Sequence, residues 1–181
     1  MKFKALPPQE FLIECFNYDP DTGVVTWKHR PLHHFNRLCT HTTFNKTFAG
    51  KIAGYTNSKG YWKVKLNNAP YYLHRIVWKI VYGLDPENQI DHVDLHKENL
   101  ILANLRDATH SENQWNRTAY TGNKTGFKGV SFHTQDKNYV ATIQVNGSQQ
   151  RLGSFGTKEL AHAAYRKAAN ELHGEFANHG H

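Results

Sequence analysis

Asp91 and His92 stand side by side in the sequence, and Asn113 follows 22 residues after the aspartate. These three types could cut a phosphodiester. A hard cation must neutralise the non-bridging oxygen and the departing 3′ oxygen, and a base must deprotonate water. Carboxylate and amide oxygens suit Mg²⁺, with water and substrate phosphate completing its coordination, and a neutral imidazole suits the base. Adjacent residues of a strand point to opposite faces, so Asp91 and His92 can share a site only at a strand end or a bulge. On types and spacing alone, an Asp-His pair with no chemistry and an Asn that merely caps a helix stay open as readings.

The elements that would position these residues read as strand, loop, strand, helix. Ile90–Asp94 reads as the first strand, the stretch to Asn99 is polar, and Leu100–Leu105 is the second strand. Thr109-His110-Ser111-Glu112 is a capping box that starts a helix near His110 and puts Asn113 in its first turn. Before them, Leu73, Ile76, Val77, Ile80 and Val81 fall at helical spacing, with Gly83 as the stop and Pro86 beyond. Residues 1–70 form an N-terminal extension: a short helix over Pro8–Phe16, a turn at Asp19–Gly23, a strand over Val24–Trp27, and a long basic loop from Pro31 to Lys51. A hairpin follows, with Tyr61–Leu66 turning at Asn67-Asn68 toward Pro70–Tyr72. Residues 118–125 are the linker, within a polar run poor in large apolar residues. Beyond it, strands Lys128–His133, Tyr139–Val145 and Gln150–Phe155 include an Asn146-Gly147 hairpin turn. A Thr157-capped helix then carries an Ala161, Ala164, Tyr165, Ala168, Leu172 stripe.

Composition narrows the class. The 181 residues carry a net charge of +7 with 39% hydrophobic and 20% charged residues, a globular mix whose basic excess suits a polyanionic partner. Basic residues outnumber acidic ones on both sides of Asn116, so the excess is not a single tail. The most apolar stretch, Tyr71–Tyr82, is broken by His74, Arg75 and Lys79 and cannot span a bilayer. No export signal is seen, so the expected compartment is the cytoplasm, that of the host cell if the gene belongs to a phage. Two cysteines, Cys15 and Cys39, exclude a disulfide scaffold and a four-cysteine zinc ribbon.

The motif as a whole resembles the HNH endonuclease family in its phage and homing-type branch. The residues that carry it are Leu73-His74-Arg75, Ile90-Asp91-His92-Val93-Asp94, Asn99, Asn104-Leu105-Arg106, Ala108-Thr109 and Ser111-Glu112-Asn113, with Tyr18–Gly23, Thr26-Trp27-Lys28, Ala53-Gly54 and Gly60-Tyr61 upstream. The resemblance covers about 18–117 and implies a ββα-metal (His-Me finger) core at 71–117. It implies that His92 is the general base, that Asp91 and Asn113 ligate Mg²⁺ or Mn²⁺, and that Asn104 and Asn99 are structural. Arg106 either braces the loop or touches phosphate. Arg75 is expected at phosphate, and His74 is either a satisfied buried imidazole or a phosphate contact. Where relatives continue with a turn glycine, this chain has Val93-Asp94-Leu95-His96; His96 is read as an exposed loop residue, with an extra ligand as the alternative.

Residues 126–178 resemble the plant ethylene-response-factor (APETALA-type) DNA-binding domain through Gly126–Val130, Tyr139–Ile143, Leu152–Phe155 and the Ala161–Ala169 stripe. That resemblance implies a three-stranded antiparallel sheet packed on one helix and laid into a major groove. Lys128, Ser131, His133, Thr142, Gln144, Gln149 and Arg151 match its contact positions. Several of these hold Arg or Trp in the plant domains, so the recognised sequence does not transfer. The expectation is an α+β, metal-dependent endonuclease on double-stranded DNA, a monomer with a dimer as the alternative; a single site would nick, and double-strand cutting needs dimerisation or two sequential events. The alternatives are an inert DNA-binding accessory or transcription factor, and an RNA-directed or structure-selective nuclease.

Overall fold

The computed structural model describes residues 4–180 and is mixed α and β throughout. The chain divides into two compact units between Asp107 and Ala108. This division falls ahead of the linker expected at 118–125, and it assigns the helix bearing Asn113 to the second unit.

In the first unit, helix α1 (Gln9–Cys15) runs directly into strand β1 (Phe16–Tyr18), which pairs antiparallel with β2 (Val25–Trp27). The turn between them is the expected Asp-Pro-Asp-Thr-Gly segment: the Asp21 N–H donates to Asp19 Oδ1 at 3.0 Å. Gly23 closes it at φ 71°, and a Cβ there would lie 2.6 Å from the Ile101 backbone nitrogen. Only glycine meets both conditions. The same turn is tied to residues 100–102 by Tyr18 Oη donating to the Leu100 carbonyl at 2.8 Å and by the Leu102 N–H donating to the Pro20 carbonyl.

The stretch expected to be a basic loop contains a 3₁₀ turn at Leu32–His34 and an 11-residue helix, α2 (Leu38–Phe48). Its apolar content is small, which hides it from a periodicity reading. It is held by tertiary contacts. Phe44 packs edge-on against Trp27 with ring centroids 5.1 Å apart. The Asn45 side chain accepts from the Arg30 N–H and donates to the Arg30 carbonyl, both at 2.9 Å.

Strands β3 (Tyr55–Thr56), β4 (Trp62–Leu66) and β5 (Ala69–Tyr72) form an antiparallel sheet in that order, with Leu66 opposite Ala69 across the two-residue Asn67-Asn68 turn. Both asparagines have positive φ, as a turn of this type requires. Helix α3 (Leu73–Tyr82) follows without a break and buries Leu73, Ile76 and Val77, as its spacing predicts. Strands β6 (Gln89–His92) and β7 (Leu105–Ala108) pair as a two-stranded sheet. Leu12, Phe16, Val64, Leu66, Ile76, Ile90, Leu100 and Leu105 belong to one buried cluster, so residues 1–70 share a core with the motif and are not an appendage.

In the second unit, α4 (His110–Trp115) opens with the expected capping box between Thr109 and Glu112. Strands β8 (Val130–His133), β9 (Asn138–Val145) and β10 (Ser148–Phe155) form an antiparallel sheet with β9 central, and α5 (Lys158–His173) covers one face. Ile143, Val130 and Ala141 meet Ala161, Tyr165, Ala168 and Ala169 across that interface. A Cβ at Gly129 would lie 2.1 Å from the Tyr165 ring, so a bare backbone is needed for the helix to sit this close.

Candidate active site

His92 is the last residue of β6, and the chain turns immediately after it: the Val93 N–H donates to the Asn104 carbonyl, and Leu95 takes φ 67° with its N–H on the His92 carbonyl. The strand end required for Asp91 and His92 to share a region is therefore present. Both side chains are buried, each residue 4% exposed. A buried carboxylate needs a partner. Asp91 has Arg106, which stands on the paired strand β7 and donates from both Nε and Nη2 to Asp91 Oδ2 at 2.9 Å.

The loop between β6 and β7 is closed by side chains. Asn104 Oδ1 accepts from the Asp94 N–H at 2.9 Å, and its Nδ2 donates to the Asn99 carbonyl at 3.1 Å. Asn99 donates in turn to Asp94 Oδ2 at 2.7 Å and accepts from the Ile101 N–H. Asp94 is part of this lock. His96 is exposed, 3.5 Å from Asp94 Oδ2, and touches neither Asp91 nor His92 in any described contact.

Around His92 stands a wall of rings that the sequence did not announce. His74 meets it edge-on at 5.2 Å between centroids, Tyr61 lies 6.0 Å away, and His74 stacks on Tyr72 at 5.3 Å. His74 is buried, but its Nδ1 has no hydrogen-bond partner among the described residues, so the satisfied-imidazole reading needs correction. Burial pushes the His92 pKa below its usual 6.5, against the pull of Asp91 and Asp94. His74 is driven well below 6.5, first by burial and then by the neighbouring His92 and Arg75. Both rings are therefore neutral near pH 7, which is the state a general base needs. The signal that could have found this wall is the alternation of β4–β5, which puts Tyr72 one residue before α3 and its His74.

The expectation of Arg75 at phosphate needs correction too. Its guanidinium is buried and donates to the carbonyls of Asn88 (2.8 Å) and Pro86 (3.3 Å), holding the loop that leads into β6. Arg106 is committed to Asp91, the bracing alternative.

In the second unit, Asn113 lies on α4 with its N–H on the Thr109 carbonyl. Lys128 is not on offer to a groove: its ammonium donates to the carbonyls of Trp115 and Arg117, both at 2.6 Å, closing the C-terminal end of α4. Burial pushes its pKa down to about 8. Ser131, His133, Gln144, Gln149 and Arg151 are exposed and Thr142 half-exposed on the strands. Gln149 donates to Thr142 at 3.0 Å, His133 pairs with Asp136, and Arg151 reaches Ser154.

Residues 71–115 match the family model described as HNH endonuclease. Over 129 residues the chain is 33% identical to an uncharacterized HNH endonuclease of Acanthamoeba polyphaga mimivirus, covering 70% of this chain and 66% of that protein. Over 105 residues it is 35% identical to protein 3.8 of Escherichia phage T7, covering 58% of this chain and 86% of that protein. The chain thus spans just under two thirds of the mimivirus relative's length. No solved structure matches significantly. No helix among the described residues is long and apolar enough to cross a membrane. With the family match lying over α3, the Asp91-His92 strand end and α4, the chain carries an HNH endonuclease domain over residues 71–115.

Proposed function

We propose that this chain is a metal-dependent DNA endonuclease, encoded by a phage or related virus, in which His92 is the general base and Asp91 and Asn113 hold Mg²⁺ or Mn²⁺. The observation that carries this reading is a buried, neutral His92 at a strand end, beside a carboxylate fixed by Arg106. The donor set suits a hard cation: a carboxylate and an amide oxygen, with water and phosphate oxygens to complete it. When bound, such an ion neutralises charge on the phosphate oxygens and on the leaving 3′ oxygen.

The chain's own residues do the rest. His92 accepts the proton of the attacking water, and its low pKa keeps it free to do so at neutral pH. Arg106 holds the Asp91 carboxylate in one orientation, so the ligand need not be organised during the reaction. His74 and Tyr61 restrict the rotation of the His92 ring by contact, and Tyr72 stacks on His74 behind it. Asn99, Asn104 and Asp94 hold the loop that ends the strand at His92. The ββα-metal fold that the motif over residues 71–117 implies is part of the same proposal. Cleavage leaves 5′-phosphate and 3′-hydroxyl ends.

The open face of the β8–β9–β10 sheet, through Ser131, His133, Thr142, Gln144, Gln149 and Arg151, grips the duplex. With Lys128 turned inward and only Arg151 able to make a bidentate guanine contact, base discrimination is soft. The test is cleavage of duplex DNA with Mg²⁺ or Mn²⁺, with the ends mapped on both strands. Cutting that His92→Ala abolishes supports the reading; DNA that is retained but never cut points to an accessory binding protein, and preference for single strands or RNA to a different nuclease.

A further inference from the structure

Glu14, at the end of α1, faces the neighbouring pair His33 and His34 on the 3₁₀ turn of the first unit. Glu14 Oε2 lies 2.7 Å from His34 Nε2 and 3.2 Å from His33 Nε2, and the three donor atoms all fall within 4.8 Å of one another. We propose that Glu14, His33 and His34 form a divalent transition-metal site of the Zn²⁺ class, separate from the nuclease centre, that staples α1 to this turn.

Two imidazoles and one carboxylate select ions such as Zn²⁺, Co²⁺ or Ni²⁺ over Mg²⁺, which prefers oxygen alone. Around a tetrahedral ion with bonds of about 2.0–2.1 Å, neighbouring ligand atoms stand about 3.3 Å apart. The Glu14–His33 spacing of 3.2 Å already meets that, and the Glu14–His34 spacing must open only by a fraction of an ångström. His34 is fixed in advance. Its side chain is 2% exposed, its ring lies 4.4 Å from that of Phe11, and its Nδ1 is met by Arg30 Nε at 3.2 Å and Cys15 Sγ at 3.9 Å. Only the Nε2 edge is turned to the carboxylate. Burial holds the His34 pKa below its usual value, and the two imidazoles hold the Glu14 carboxyl low, so the carboxylate and the His34 ring are available as donors near neutral pH. In front lies an open cleft of about 1000 Å³, bordered by Glu10, Phe35 and Thr40, through which water can fill the remaining positions.

One rearrangement accompanies binding. Arg30 Nε donates to His34 Nδ1, which in the metal-free protein puts the ring proton on Nε2, toward Glu14. A metal on Nε2 takes that proton's place, and the proton passes through solvent to Nδ1, where Cys15 Sγ can accept it. Arg30 gives up this one hydrogen bond and stays among the rings of Phe11, Phe35 and Phe44, with its guanidinium carbon 4.8–5.5 Å from their centroids. Cys15 Sγ lies beside Nδ1, on the ring edge away from the ion.

The test is titration of the full chain with Co²⁺ in excess Mg²⁺, read by visible d–d absorption, followed by Zn²⁺ displacement and thermal melting. One Co²⁺ should bind at micromolar concentration with the intense bands of a low-coordinate nitrogen and oxygen site, and Zn²⁺ should displace it and raise Tm. Glu14→Gln and His33→Ala, both at exposed positions, should each weaken binding at least tenfold and remove the Tm gain. No Co²⁺ bound in the micromolar range, or parental affinity in both variants, overturns the site. Neither result depends on whether DNA is cut.

Discussion

The polar residues of the two units are used in opposite ways. In the first unit, Asp91, His92, His74 and Arg75 are buried, and the aspartate and arginine are fixed by named partners at short range. In the second, Gln144, Gln149 and Arg151 are exposed on the strands, with Gln149 donating to Thr142 and Arg151 to Ser154. Burial makes a polar group costly to leave unpaired and therefore precisely oriented; exposure leaves it cheap and adaptable. Under the proposed function, the general base uses the first arrangement and tolerant recognition the second.

This contrast can be broken most sharply at His92. His92→Ala should lower the DNA cleavage rate by about 10²–10⁴-fold, the usual contribution of a general base, while gel-shift affinity for DNA stays near parental. Arg106→Ala comes next. Stripping the cation from a buried carboxylate should cost about 3–5 kcal/mol of stability, read by denaturant unfolding, and Arg106→Lys should recover only part of it.

In the second unit single changes should be milder. Arg151→Ala should leave the melting temperature close to parental and reduce the slope of log affinity against log salt by about 0.9, the loss of one phosphate contact. Lys128→Met should do the reverse: the salt slope is unchanged, and stability falls because two carbonyls at the end of α4 lose their donor. Equal salt slopes for the two variants would erase the distinction between inward and outward cations.

The smallest effect concerns pH. The folded-state pKa values of His74 and His92 are depressed below 6.5, so the unfolded chain binds more protons there. Stability contributed by the neutral rings is present above about pH 6.5 and is lost as pH falls from there toward the folded values. The acid limb of the cleavage rate should likewise lie below pH 6.5, and a midpoint above that would mean His92 is not the titrating base.

Much of this was readable from local chemistry. The Thr109–Glu112 capping box, the Asn146-Gly147 turn and the α3 stripe each involve residues a few positions apart, and the structure has all three. What escaped depends on distant partners. Helix α2 forms because Phe44 finds Trp27 and Asn45 finds Arg30, and a run of Thr, His and Asn gives no periodic hint of either. For Arg75 and Lys128 the sequence states a charge but not a direction, and both turn inward to carbonyls. The ring wall behind His92 likewise joins Tyr61, Tyr72 and His74, which lie on three adjoining pieces of chain.

The bare backbone of Gly23 has a consequence for how such genes can be cut and rejoined. Because the turn it closes rests directly on Leu100 and Ile101, the motif residues cannot be exchanged between proteins as a cassette beginning at 71. A recombinant that replaces residues 1–70 must bring a turn of the same shape to that spot, or the strand end carrying His92 loses the surface on which it was cast. The block that must be inherited together therefore reaches back from the motif to the Gly23 turn.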